Sequence, residues 1–163
     1  MAGLKGMRIR ATGATVNSIK ALGAIPVAMP MPDVYEALAK GIVAGQIGPP
    51  EVLKGWKQAE VTKFITKLPP VYNSIMWTSM NLEKWNSLPK DVQMAIDKIN
   101  DGFSVRAAKI WDSHQVKGGI DYGMKEHGMQ IVQWSEADMK KAMELMQPLH
   151  AEYVARMNKK GLP

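Results

Sequence analysis

The side chain best suited to do chemistry is Arg10, in the alternating stretch "MRIRA" at residues 7–11. A guanidinium at the carboxyl end of an early strand points to where open α/β sheets bind their ligands. There it can hold a carboxylate through two parallel, charge-assisted hydrogen bonds. A surface ion pair would place an arginine there too, and from position alone it is the commoner reason.

Other chemistries find less support. His114, His127 and His150 are far apart and form no paired-histidine spacing, so a metal site is not expected. Serine, histidine and aspartate all occur, but no G-x-S-x-G elbow is present to raise a nucleophile. No phosphate-cradling or dinucleotide-binding glycine pattern follows a strand. No cofactor is therefore expected. Cysteine is absent, which excludes disulfides, thiolate ligands and a cysteine nucleophile. The net charge of +6 is spread along the chain. It permits acidic ligands without demanding nucleic acid, and no basic–aromatic interleaving of the RNA-binding kind appears. The methionines at helical spacing near the C-terminus read as core filler.

The elements that must position Arg10 follow a β-α-β-α-β rhythm. Strands are expected at 7–11, 26–29 and 42–44, with helices at 16–22 and 32–39 between them. That order favours an α/β layer of mostly parallel strands. Residues 45–50, "GQIGPP", form a loop. Residues 57–67 read as a helix, and the β-branched, aromatic run 71–80 as a long strand. A long helix starts at Pro89 and carries Val92, Ile96, Ile99, Phe103, Ala107 and Ile110 as one apolar stripe. Gly118 and Gly119 interrupt it. A strand at 129–134 leads to Ser135, whose spacing to Asp138 gives a capping start for a last helix, kinked at Pro148. At 163 residues the chain suits one domain or two small ones. No apolar run approaches bilayer length, and residues 1–5 carry no signal-peptide core.

Four ordered blocks carry a family resemblance: "LKGMRIR", "LGAIPVAMPMPDVYEALAKGIVAGQIGP", "WKQAEVTKFIT" and "NLEKWNSLPKDVQMAI". Together they resemble the periplasmic solute-binding subunit of tripartite ATP-independent (TRAP) transporters, DctP type, over nearly the whole chain. The resemblance implies a type II clamshell that closes on a small organic acid by hinge motion. It implies a binding protein rather than an enzyme, located in the periplasm, with TRAP membrane permease subunits as partners. By a gapless match of "LKGMRIR", Arg10 is the arginine that binds the ligand carboxylate. The resemblance further implies Met31 as an apolar wall, Gln46, Ile47, Gly48 and Pro49 as a contacting loop, and Tyr72 and Asn73 beside the cleft.

Two departures bear on specificity. Ala44 stands in "VAG" where the family usually has aspartate. Gly48 stands where sialic-acid binders place asparagine. With Met31, Ile47 and Pro49 apolar, a ligand with an apolar body is expected. The blocks match only the C-terminal half of family members, so the chain reads as a fragment. Residues 1–70 are expected to form the second-domain core, 71–128 the crossing strand and long helix belonging to the first domain, and 129–163 a strand and helix packing back. Apolar faces left bare by a missing half would favour pairing with a second copy.

Overall fold

The computed structural model describes residues 2–13, 15–68, 72 and 76–162. The expected α/β class holds. Strand β1 (Arg8–Arg10) leads to helix α1 (Thr15–Ala21), β2 (Ile25–Val27), a 3-10 turn at Met31–Asp33, α2 (Val34–Ala39) and β3 (Gly45–Gln46). These strands form one parallel sheet in the order β2-β1-β3, with Arg10 opposite Val27 on one side and Gln46 on the other. Alternation in "RIR" turns Ile9 inward, where it packs with Ala11, Ile19, Ala24 and Ile47. A second cluster, Val34, Ala37, Leu38 and Val43, fixes α2. Thr15 Oγ1 accepts from the Thr12 N–H and donates to the Thr12 carbonyl, tying the start of α1 to the chain leaving β1.

The third strand lies a few residues later than the expected 42–44. Val43 is drawn into the α2 cluster instead. Pairing with β1 begins only at Ala44, whose N–H donates to the Arg8 carbonyl at 2.8 Å. Burial of one valine thus sets the register of the sheet edge.

Helix α3 (Val52–Gly55) is followed by Lys57 at φ 55°, a 3-10 turn at Gln58–Glu60 and β4 (Phe64–Lys67). The expected helix at 57–67 is therefore incorrect. A lysine in the left-handed region cannot continue α3, and "FITK" pairs in parallel with β5 (Gln130–Gln133) to make a second sheet. Its aromatic and β-branched residues suit that pairing. The expected strand at 71–80 also fails where it can be followed: Tyr72 and residues 76–80 are not in a strand, and the rest of it lies outside the described residues.

Helix α4 (Leu82–Ser87) is capped by Asn81, which accepts from the Lys84 N–H. Buried Gln93 in α5 (Lys90–Asn100) donates to the carbonyls of Trp85 and Leu88, latching the two helices. The expected single long helix ends at Asn100. Asp101 is extended and Gly102 has φ 68°, while Arg106 donates to the carbonyls of Ile99 and Asp101 and satisfies the freed end. Helix α6 (Phe103–Ile110) then passes through a π-helical segment, Trp111–Val116, into α7 (Lys117–His127). Gly118 and Gly119 do not interrupt α7, which packs against α3.

After β5, Ser135 accepts from the Asp138 N–H as the spacing predicts, opening α8 (Glu136–Lys159). That helix runs unbroken across Pro148 and packs against α1.

Candidate functional site

Arg10 ends β1 and is 7 % exposed. Its Nε donates to the Met29 carbonyl at 3.1 Å. That bond orients the guanidinium from the chain leaving β2, so two neighbouring parallel strands aim one side chain. Among the described residues, no carboxylate pairs with it and its two terminal nitrogens have no hydrogen-bond partner. Burial lowers its pKa, and nearby Tyr72 acts in the opposite direction. A guanidinium keeps its proton even so. The result is a largely buried positive charge whose outer donors meet no protein partner among the described residues. Such a group gains strongly from an incoming anion.

The loop after β3 lies beside it. Gln46 is the register partner of Arg10 on the adjacent strand. The Ile47 N–H donates to the Arg10 carbonyl at 3.0 Å, and the Ile47 side chain is buried in the cluster around Ile9. Tyr72 packs on that same cluster. The Gln46 amide folds back over Gly48: a Cβ there would sit 3.0 Å from Gln46 Oε1. That oxygen is buried and has no partner among the described residues. Gly48 therefore supplies space for an amide from its own strand rather than missing one of its own.

Arg10, Gln46, Ile47 and Tyr72 are thus brought together at the carboxyl end of β1, with Gly48 and Pro49 continuing the loop. Met31 is half-buried beside the Val34 cluster, as is Met29, whose carbonyl holds Arg10, and the Met31 Sδ accepts from Gln58 Nε2 at 3.4 Å. Asn73 lies outside the described residues.

A groove of about 910 Å³ runs between the β3–α3 loop and β4, lined in part by Ile47, Pro49, Gln58, Phe64 and Ile131. Arg10, Met31 and Tyr72 do not line it; the groove meets the arginine's surroundings at Ile9, its neighbour on β1, and along Gly45 and the 46–49 loop. Sequence reasoning missed Gln58, which is 1 % exposed with a buried Oε1 that has no partner among the described residues. It also missed Glu51, whose Oε2 is buried without a partner among the described residues and whose carboxyl burial pushes up in pKa. The sequence reads Gln58 as part of a helix and leaves Glu51 just after the 45–50 loop, and neither reading predicts burial.

The chemistry available here is recognition. Arg10 offers donors and charge, and the surroundings offer apolar packing. No group of metal-ligating side chains gathers among the described residues. No helix among them is long and apolar enough to cross a membrane.

Residues 1–157 match the family model described as bacterial extracellular solute-binding protein, family 7, DctP. The C4-dicarboxylate-binding periplasmic protein DctP of Rhodobacter capsulatus is 35% identical over 96 residues, 59% of this chain and 28% of that protein. A TRAP periplasmic solute-binding protein of Desulfovibrio salexigens, solved in an open state with a symmetry mate's C-terminus in its ligand site, is 30% identical. It superposes with a TM-score of 0.77 over 99% of this chain and 50% of that one. A marine metagenome TRAP solute-binding protein specific for aromatic acids, solved with 3-hydroxybenzoate, is 27% identical with a TM-score of 0.81 and the same kind of coverage, 99% and 51%. The chain spans about half the length of these solved structures. They place its fold as part of a type II periplasmic-binding-protein architecture, and they are solute-binding proteins rather than enzymes.

Proposed function

We propose, from the premise that this chain belongs to the DctP family of bacterial extracellular solute-binding proteins, that it captures a small organic acid through Arg10. One observation carries the proposal: a buried guanidinium, oriented by the Met29 carbonyl, with its terminal donors unfilled among the described residues. A carboxylate would fill both and supply the missing charge. Tyr72 then presents carbon near it, the loop of Ile47 and Pro49 flanks it, and the Gln46 Oε1 is an acceptor with no partner among the described residues. That mixture suits an acid with an apolar body and one polar substituent. The 27%-identical relative solved with 3-hydroxybenzoate agrees with this reading. Met31 and Asn73 complete the contacting set in this proposal. The chain acts outside the cytoplasmic membrane as half of a two-part cleft, and passes its ligand to TRAP permease subunits.

Calorimetric titration with benzoate, succinate and glucuronate tests the reading. Benzoate is expected to bind most tightly. At a hundredfold excess over Kd it raises unfolding stability by about 2.7 kcal/mol. Arg10→Ala is expected to lose 2 kcal/mol or more of binding, about thirtyfold, as loss of one partner of a buried charge pair does. Preference for glucuronate would overturn the apolar body. Equal binding by Arg10→Ala would overturn the site.

A second reading is favoured by the bare surface at Met76, Trp77, Met80 and Leu82, each more than half exposed. On it, the chain pairs with a second copy and binds no acid. Native mass spectrometry separates the two: a ligand-free dimer supports pairing, and a monomer retaining an acid supports capture.

A further inference from the structure

We propose that Gly119 is a positioning residue for the carboxylate site. Its missing side chain lets α7 bear directly on the Pro50 carbonyl, and this contact sets the backbone of the loop that flanks Arg10. The inference rests on the carboxylate-binding reading of Arg10.

Gly119 is buried on the face of α7 that meets the loop leading into α3. A Cβ built there would overlap the Pro50 carbonyl oxygen, lie 2.8 Å from the Pro50 carbonyl carbon and 3.0 Å from Glu51 Cα. All three are backbone atoms, so no rotamer change relieves the overlap. Either the helix or the loop must move. One position earlier, a Cβ on Gly118 would meet nothing within 4 Å. At Gly123 it would meet chiefly the Met129 Sδ, the end of a flexible side chain. Three glycines on one helix thus pose three different steric demands, and only Gly119 presses on main chain.

The pressed segment is short and taut. Pro50 follows directly on the 46–49 loop, and the Leu53 N–H donates back to the Pro50 carbonyl at 3.1 Å. At its other end the loop is tied to β1 by the Ile47 N–H to the Arg10 carbonyl. Gly48 and its neighbour Gln46 are packed against each other between these ties. Little slack separates the α7 contact from the arginine. A shift imposed at Pro50 is carried to Ile47, whose N–H bonds the Arg10 carbonyl, and to Gln46, the register partner of Arg10. Glycine in a helix interior costs about 1 kcal/mol relative to alanine. At Gly119 that cost accompanies a contact no other residue type allows, whereas at Gly118 nothing offsets it.

The experiment compares Gly119→Ala, Gly118→Ala and Leu22→Ala, with benzoate as probe and Kd read by calorimetry well below each unfolding midpoint. Leu22 is buried and belongs neither to the cluster that holds Ile47 nor to the groove lining, and it supplies a variant weakened in stability alone. Gly119→Ala is expected to weaken benzoate at least tenfold, and to speed amide exchange at Ile47 in the absence of ligand. Gly118→Ala and Leu22→Ala are expected to bind within twofold of the unaltered chain. Benzoate binding by Gly119→Ala within twofold of the unaltered chain would overturn the positioning role. If the unaltered chain binds no carboxylate, the reading of Arg10 fails. Faster Ile47 exchange in Gly119→Ala would then still show the mechanical link, and unchanged exchange would overturn it. Should Gly119→Ala not fold, exchange in the unaltered chain decides. Benzoate must then slow amides at Ile47 and along residues 117–123 together; slowing at Ile47 alone overturns the proposal.

Discussion

Residues 6–60 and residues 76–116 use apolar side chains in opposite ways. The first stretch buries Ile19, Val34, Val43, Val52 and Ala59 almost completely. In the second, Gln93 alone among the described residues is buried. Ile99, Phe103 and Ile110 are each about half exposed or more, although they recur at the spacing of a helix face. Amphipathic patterning makes a helix ready to pack, but a face becomes core only when something lies across it. The β1–β3 sheet has α1 and α2 on it. Helices α5 and α6 have their own latches, at Gln93 and Arg106, but no layer across their apolar sides among the described residues.

The largest expected effect tests that contrast directly. Ile19→Ala should cost about 3 kcal/mol of unfolding free energy by urea denaturation, because it opens a cavity in a closed cluster. Phe103→Ala should change it by less than about 0.5 kcal/mol. Similar costs for the two would mean that the helical stretch is covered in solution, and the comparison would break.

Ser135→Ala comes next. Loss of the cap on α8 should cost about 1 kcal/mol. Because α8 packs on α1, the loss should appear in the global transition. If it appears only as faster amide exchange in the first turn of α8, that helix belongs with the loosely held stretch.

The smallest effect concerns a fault inside the well-buried part. Burial raises the Glu51 pKa, so the folded chain holds this proton more tightly than the unfolded chain does. Its contribution to stability is therefore full below the ordinary carboxylate value. It is lost as pH rises through the raised value. Glu51→Gln should flatten that dependence and raise stability at pH 7 by no more than about 1 kcal/mol. Urea midpoints from pH 4 to pH 8 give the slope, and an unchanged slope would show that water reaches this carboxyl.

These contrasts also mark how far the amino-acid order reaches. The strand ending in Arg10, the helices α1 and α2 and the Ser135 cap were legible, because each depends on neighbours within a few residues: alternation, turn glycines, a cap three residues from its partner. The family likeness was legible for the same reason, as ordered local blocks. The parallel pairing of β4 with β5 was not, since it joins residues more than sixty positions apart, and nothing in "FITK" names its partner. Nor was the break at Asp101–Gly102, where one glycine outweighs a continuous apolar stripe. At the site, the sequence by itself put an arginine at a strand end and an apolar loop after the third strand. Only the tertiary structure decided that Met29 orients the arginine, that Met31 turns toward Gln58 instead, and that a glycine seventy positions downstream presses on the loop. Those outcomes depend on which surfaces meet, and contact between distant segments leaves no periodicity in the chain to be read.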